Sequence, residues 1–368
     1  PWIAAVDSEG EGLLHASTRR LLSRKLFVWG TAAGGRTWQR FLSGEGSYIE
    51  IQGGLARTQL EHLRLPAGQT WSWTESYGPL AITSEAVNAD WPRACAMAGA
   101  HVDATWLDEA DELLARVARV PVDPEAISPA PENQGWGALA CAVGDLPEDP
   151  STPFDPVHLD EEQRAWHQLA STHEVPSRLI DSVMVGEAWR ERLAQATASV
   201  TQQVLLGMAE HAAGHTEAAR ALWRTSVEAE PTMAALRALA LTGPAEEAVD
   251  LLVAARELPM TEGPARDQLL VEMLEAMCAA DRAEDILGVV EGLDERSRAL
   301  PRVAYLECWA LVRSGQGERA GALLARPLVM PDLREGDLSL DRLWFDHQEL
   351  IGGNDPLPAH YDFRMHTE

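Results

Sequence analysis

The stretch LGMAEHAAGHTEAARALWRTSVEAEP, residues 206–231, decides what the larger part of this chain is. Gly207, Gly214, Ala219, Trp223 and Pro231 sit at spacings that suit two helices packed closely around a turn. Small residues let the helices approach and Trp223 fills the groove between them. Pro231 stops the second helix, because it lacks a backbone N–H and clashes with the preceding turn. One such hairpin cannot bury its apolar face alone, so further copies are expected. Pro244–Arg256 and Ala283–Gly292 read as second helices, and Val303–Ser314 with Glu318–Ala325, joined at Gly315, as another hairpin. Three or four hairpins make a short solenoid with a concave face, which either receives a partner protein or braces a neighbouring domain.

These offsets are those of a tetratricopeptide unit, and residues 158–352 are assigned to tetratricopeptide-like helical repeats. The first 80 residues read differently. Trp2–Val6, Gly12–Ala16, Lys25–Trp29, Tyr48–Gln52, Gln59–Leu65 and Thr70–Tyr77 are short and carry aromatic, β-branched or leucine residues, with glycine-bearing turns between them, Ala33-Gly34-Gly35 among these. The expected fold class is therefore multidomain, β then α: the tail of an all-β sandwich over residues 1–80, then the helical solenoid. A helical segment and proline-rich connector span 81–157, with an amphipathic helix over Asp103–Val117 and a structureless arm from 121. Residues 353–368 read as a terminal arm without periodicity. Six strands do not close a large sandwich, so earlier strands, or strands from a second chain, are expected to complete it.

The 30 Lys and Arg residues against 57 Asp and Glu give a net charge of 30 − 57 = −27. Such a surface repels phosphate backbones and anionic lipid, which sets nucleic acid and membrane surfaces aside as partners. No apolar run reaches the ~20 residues of a membrane span. Cys95, Cys141, Cys278 and Cys308 form no CxxC pair and have no zinc-type spacing to histidine, so they read as free thiols in a cytoplasmic setting. No metal or other cofactor is implied. His211 and His215 lack the Glu of an HExxH motif, and Ala32–Gly35 lacks the Lys-Ser/Thr of a phosphate loop.

Chemistry-bearing residues concentrate in the strands. Alternation puts Tyr48, Glu50 and Gln52 on one face of their strand and Ile49 and Ile51 on the other. A mid-strand carboxylate between a phenol and an amide suits hydrogen bonding to sugar hydroxyls, and burial would let Glu50 move protons. A solvated outer face is the alternative. Glu75 shares a face with Trp71, Trp73 and Tyr77; it either pairs with Glu50 or sits at the sheet rim. Glycoside hydrolysis requires two carboxyls ~5 Å apart for retention, or ~6.5–9.5 Å apart for inversion. Trp38, after Gly34-Gly35-Arg36, is the candidate loop-borne stacking platform, with core filling as the alternative, and Arg36 is a candidate hydroxyl or carboxylate ligand or else a pin for its turn.

Residues 25–80 resemble the last strands of the galactose mutarotase superfamily, through Phe27-Val28-Trp29-Gly30, Glu50-Ile51-Gln52 and Leu65-Pro66-Ala67-Gly68 running on to Tyr77. A resemblance over more of the chain is to an uncharacterised bacterial family that joins a mutarotase-like β-supersandwich to tetratricopeptide repeats. It rests on Lys25–Gly30, Gly35–Gln39, Tyr48–Gly54, Trp71–Leu80 and Asp362–Met365. The resemblance implies a catalytic base at Glu50. The family's histidine acid and arginine sugar clamp lie upstream of the matching strands and have no counterpart here. Residues and resemblance together point to a carbohydrate-active protein, a glycoside hydrolase or sugar-anomer enzyme, with Glu50 and Glu75 catalytic and Tyr48, Gln52, Trp38 and Arg36 binding substrate. The alternatives are a non-catalytic glycan-binding sandwich with a protein-binding repeat scaffold, and a plain scaffold.

Overall fold

The computed structural model describes residues 1–44, 46–121, 123, 126, 134–147, 149, 154–175, 182–259 and 263–365. The chain divides into two compact units. The first comprises Pro1–Pro121 with Asp332–Asp337 and Phe363–Glu368; the second comprises Val122–Pro331 and Leu338–Asp362.

The first unit holds the five strands found among the described residues: β1 (Trp2–Val6), β2 (Glu11–Ser17), β3 (Ser23–Val28), β4 (Ile49–Gly54) and β5 (Glu75–Ala81). They form two antiparallel sheets, one of order β1-β2-β5 and one pairing β3 with β4. This is a small pair of sheets, and no mutarotase-like supersandwich is seen among the described residues. Four of the expected strands, Trp2–Val6, Gly12–Ala16, Lys25–Trp29 and Tyr48–Gln52, are present to within a residue or two. Gln59–Leu65 is a turn and coil instead. Arg57 N–H and Nε both reach the Glu61 carboxylate at 2.8 and 3.2 Å, Gln59 Nε2 donates to Gln52 Oε1 at 3.4 Å, and Leu60 is 92% exposed. With no neighbouring strand, the apolar alternation of that segment has nothing to pair with.

Residues expected to turn at Ala33-Gly34-Gly35 instead begin helix α1 (Ala33–Ser43). The glycines serve close approach here: a Cβ on Gly34 would lie 3.1 Å from the Glu335 backbone and 3.2 Å from Phe363. Glu335 also accepts the Gly30 N–H at 3.0 Å, so two short distal segments complete this unit. Helices α2 (Ser84–Val87), α3 (Trp91–Gly99) and α4 (Ala104–Val117) follow. Asp103 caps α4 by accepting the Trp106 N–H at 2.9 Å. Thr74 ties the same helix to the strand region through a 2.6 Å bond to Asp111.

The second unit is helical. The connector holds α5 (Gly135–Ala142) and a 3-10 turn at Pro156–His158, so it is not structureless throughout; residues 122, 124–125, 127–133, 148 and 150–153 lie outside the described residues. Helices α6 (Glu161–Thr172) and α7 (Glu187–Gln195) pack with α5 around Trp166 and Trp189, whose rings meet edge to face at 5.5 Å. Four hairpins follow among the described residues: α8 (Val200–Ala212) with α9 (Thr216–Ala229), α10 (Met233–Thr242) with α11 (Ala245–Glu257), α12 (Pro264–Ala279) with α13 (Ala283–Glu291), and α15 (Pro301–Arg313) with α16 (Gly317–Leu324). A short α14 (Glu295–Arg298) precedes the last pair, and α17 (Ser339–Ile351) packs on it. These are tetratricopeptide-like hairpins, as the sequence offsets require.

The physical reason is visible at Gly207. Any Cβ there would overlap the Trp223 indole, which is 2% exposed and donates to the Val204 carbonyl at 3.2 Å. Polar contacts tie successive hairpins together. Buried Arg220 on α9 donates to Leu239 O and Thr242 Oγ1 at 2.7 and 2.9 Å and pairs with Glu247 at 2.6 Å. Arg237 on α10 grips Glu272 on α12 with two bonds of 2.7 and 2.6 Å. The terminal segment is anchored, because Tyr361, 1% exposed, donates to Arg326 O and accepts Leu328 N–H at 3.0 and 3.2 Å. Replacing Gly207 by Val overpacks the α8–α9 crossing; we expect a loss of about 1–3 kcal/mol, read as a lowered melting temperature of the helical unit by circular dichroism.

Candidate functional site

Strand register assembles one polar cluster in the first unit. His15 on β2 lies directly opposite Tyr77 on β5, and Ser17 opposite Glu75. Residues two apart on a strand share a face, so His15, Ser17, Glu75 and Tyr77 all point to one side of the three-stranded sheet. Strand β4 covers that side. A Cβ on Gly53 would stand 3.0 Å from His15 Cε1 and 3.2 Å from Glu75 Oε2, so glycine is what lets β4 lie over the pair.

Glu75 is the centre of this cluster. Its Oε2 accepts from His15 Nε2 at 2.9 Å and from the Tyr77 hydroxyl at 2.7 Å, and its Oε1 accepts from Trp73 Nε1 at 2.8 Å. A carboxylate offers only acceptors, so the His15 proton sits on Nε2, and the buried Nδ1 has no protein partner. His15 is 0% exposed and stacks flat on the Tyr77 ring, centroids 4.4 Å apart and planes 3° off parallel. Behind it, Arg24 on β3 donates to Leu21 O at 3.3 Å and to Ser17 Oγ.

The electrostatics follow from this packing. Burial, helped by the Arg24 charge, pulls the His15 pKa below its ordinary 6.5, against the opposing pull of Glu75. The imidazole is therefore neutral at neutral pH. Burial alone would push Glu75 up, yet the bonds from Tyr77, Trp73 and His15 outweigh it and hold the carboxyl below its ordinary 4.5. The hydrogen bond to Glu75 raises the Tyr77 phenol above 10.0. At neutral pH the site is thus an ionised carboxylate, a neutral imidazole and a neutral phenol. Its rim is open: Tyr77 is 61% and Trp73 40% exposed.

The structure places the sequence candidates unevenly. Glu75, Trp73 and Tyr77 come together as their shared face implies, although the strand itself begins only at Glu75. Glu50 does not join them. It lies on β4, which pairs with β3, whereas Glu75 lies on β5, which pairs with β2. Gly53 faces Glu75, and Glu50, three residues away, is on the opposite face. Glu50 accepts from Gln52 Nε2 at 3.1 Å, and no Glu50–Glu75 carboxyl pair is formed. The Tyr48 hydroxyl accepts from Trp29 Nε1 at 3.1 Å. Trp38 is carried by α1 rather than a loop and stacks on Phe41 at 5.1 Å, with Trp29 at its edge. Arg36 is exposed on the same helix. His15 and Arg24 escaped the sequence reading. The signal for the first was a histidine in the middle of the apolar run Leu13-Leu14-His15-Ala16, at an inward strand position.

Among the described residues, no group of three or more His, Cys, Asp or Glu is placed to hold a metal ion. Burial pushes the Cys308 thiol up to about 12, which leaves it inert. No described helix is long and apolar enough to cross a membrane.

No family model matches the chain, and no curated protein matches it. Among solved structures it is similar to a TPR-domain containing protein from Parabacteroides distasonis, at 17% identity and a TM-score of 0.47, over 99% of this chain and 57% of that one. The chain thus spans little more than half the length of that protein, and a likeness of this depth says nothing of activity or ligand.

Both His15 and Glu75 have folded pKa values below their unfolded ones, so the folded state binds fewer protons than the unfolded state. Their contribution is complete above about pH 6.5 and is lost as pH falls, first through the His15 window below 6.5 and then through the Glu75 window below 4.5. An imidazole NMR titration should find the His15 midpoint under the ordinary histidine value. Glu75→Gln should lower it further, since the carboxylate is what raises it; an unchanged or higher midpoint contradicts the pairing.

Proposed function

We propose that the sheet unit recognises a saccharide at Glu75, Trp73 and Tyr77, and that the helical repeats hold a protein partner. The observation that supports the first part is the ionised Glu75 carboxylate between two exposed aromatic rings. Two of its bonds fall on Oε2 and one on Oε1, so Oε1 keeps an acceptor position for a ligand hydroxyl. The exposed indole and phenol supply apolar faces for the C–H side of a sugar ring. The supporting contacts of His15, packed under Tyr77 and bonded to Glu75, hold both groups in place before a ligand arrives. For the second part, stacked hairpins commonly present an extended concave surface to other proteins.

A catalytic reading has one observation in its favour, the direct His15–Glu75 contact, since a neutral imidazole beside a carboxylate is an acid–base couple. It favours anomer interconversion over glycoside hydrolysis, which needs two carboxyls flanking one bond. Glu50 has no part in it. The mutarotase-like sandwich and its family role for Glu50 remain an implication of resemblance alone.

Titration of the chain with a panel of neutral mono- and oligosaccharides, followed by tryptophan fluorescence, tests the binding reading. One saccharide should bind, Glu75→Gln should weaken it at least ~10-fold, and Glu50→Gln should leave it unchanged. If no saccharide binds, the reading falls. Polarimetry on the bound sugar tests the catalytic one: mutarotation that drops ~100-fold in His15→Gln with binding retained establishes acid–base chemistry.

A further inference from the structure

Tyr77 also borders a second space in the sheet unit, a concavity of about 520 Å³ whose walls are Ala5, Val6, Leu13, Ile49 and Ile51. This is within the ~300–1,000 Å³ of small-ligand sites. The register explains it. Ala5 pairs with Leu13, and Ile49 and Ile51 share the face of β4 that Gly53 presents to His15 and Glu75. The two sheets are in close contact at Gly53, which has no side chain, and stand apart at the other end of β4.

The lining offers almost nothing to a sugar. Its polar side chains are Tyr77, whose hydroxyl is committed to Glu75, and Asp7. Among the described residues of the lining, Asp7 is the charged one. Its Oδ1 takes the N–H groups of Glu9 and Glu11 at 2.9 and 3.0 Å, which fixes the side chain at the β1–β2 turn and leaves Oδ2 for a ligand. The chain as a whole carries a net charge of −27. An open, apolar concavity with one carboxylate and one aromatic ring in its lining is complementary to a cation with a hydrocarbon body.

We infer that this concavity binds a small amine, its ammonium at Asp7 and its apolar body between Leu13, Ile49 and Ile51. The concavity shares the Tyr77 ring with the proposed saccharide site, but its charged anchor, Asp7, is not part of that site. Three probes of one shape test it on the full chain: cyclohexylamine, cyclohexanol and cyclohexanecarboxylate, followed by methyl NMR of Ile49 and Ile51. The amine should bind at least ~10-fold more tightly than the alcohol, and the carboxylate more weakly than either. Asp7→Asn keeps the acceptor for the two turn amides and removes the charge. It should erase the preference while leaving the alcohol's affinity unchanged. Ile51→Trp should fill the space and abolish both. Equal affinity for amine and alcohol, a preference that survives Asp7→Asn, or no methyl shift with any probe at ~10 mM overturns the assignment.

Discussion

Three donors converge on the Glu75 carboxylate, and the sheet unit is arranged around that convergence. A carboxylate turned toward a sheet interface is costly unless its lone pairs are met. Here the donors come from a neighbouring strand, from its own strand and from the segment leading into it. Each brings something else with it. His15 fixes β2 against β5, Tyr77 lays its ring over the imidazole, and Trp73 places an indole at the rim. Gly53 is then forced on β4, because any side chain there would press on His15 and Glu75. The contacts that satisfy Glu75 are also the contacts that hold the strands together in this unit.

The helical unit rests on a different constraint, volume exclusion at close crossings. Trp223 occupies the space that Gly207 leaves empty, and it is the aromatic in the core cluster shared by α8, α9 and α10. Arg220 then closes the next crossing by donating to the Leu239 carbonyl near the end of α10. A buried guanidinium is tolerable because carbonyl, hydroxyl and carboxylate acceptors surround it. The repeat is therefore set by one glycine–tryptophan fit and extended by polar clamps.

This contrast explains what was legible in the sequence. The hairpin at 206–231 could be read because its determinants are local, all within one pair of helices. The grouping of Trp73, Glu75 and Tyr77 was legible for the same reason, since alternation within one strand fixes it. His15 was not, because its role is set by register with β5, some 60 residues away in sequence. The pairing of Glu50 with Glu75 failed on the same point: alternation told which residues share a strand face but not which strands are neighbours. Helix α1 was hidden by Gly34-Gly35, which look like a turn and act as contact surfaces, Gly34 for Glu335 and Phe363, some 300 residues further on, and Gly35 for Gly30.

The two units also differ in what can be changed without losing the fold. Most buried apolar residues, including Trp166, Trp189 and Trp223, belong to the helical unit, whereas the sheets bury few, such as Ala16, Leu21 and Leu80. A two-stranded sheet is only marginally stable on its own in water. The sheet unit accordingly draws much of its definition from buried polar groups, His15, Ser17, Ser23, Gln39 and Thr74 among them. An apolar core tolerates swaps of similar volume, but a polar network loses its geometry when one member goes, because the partner is left buried and unpaired. In such a unit the groups that hold the sheets in register are also those of the proposed saccharide site. A ligand bonded to Glu75 would stabilise the unit as it binds.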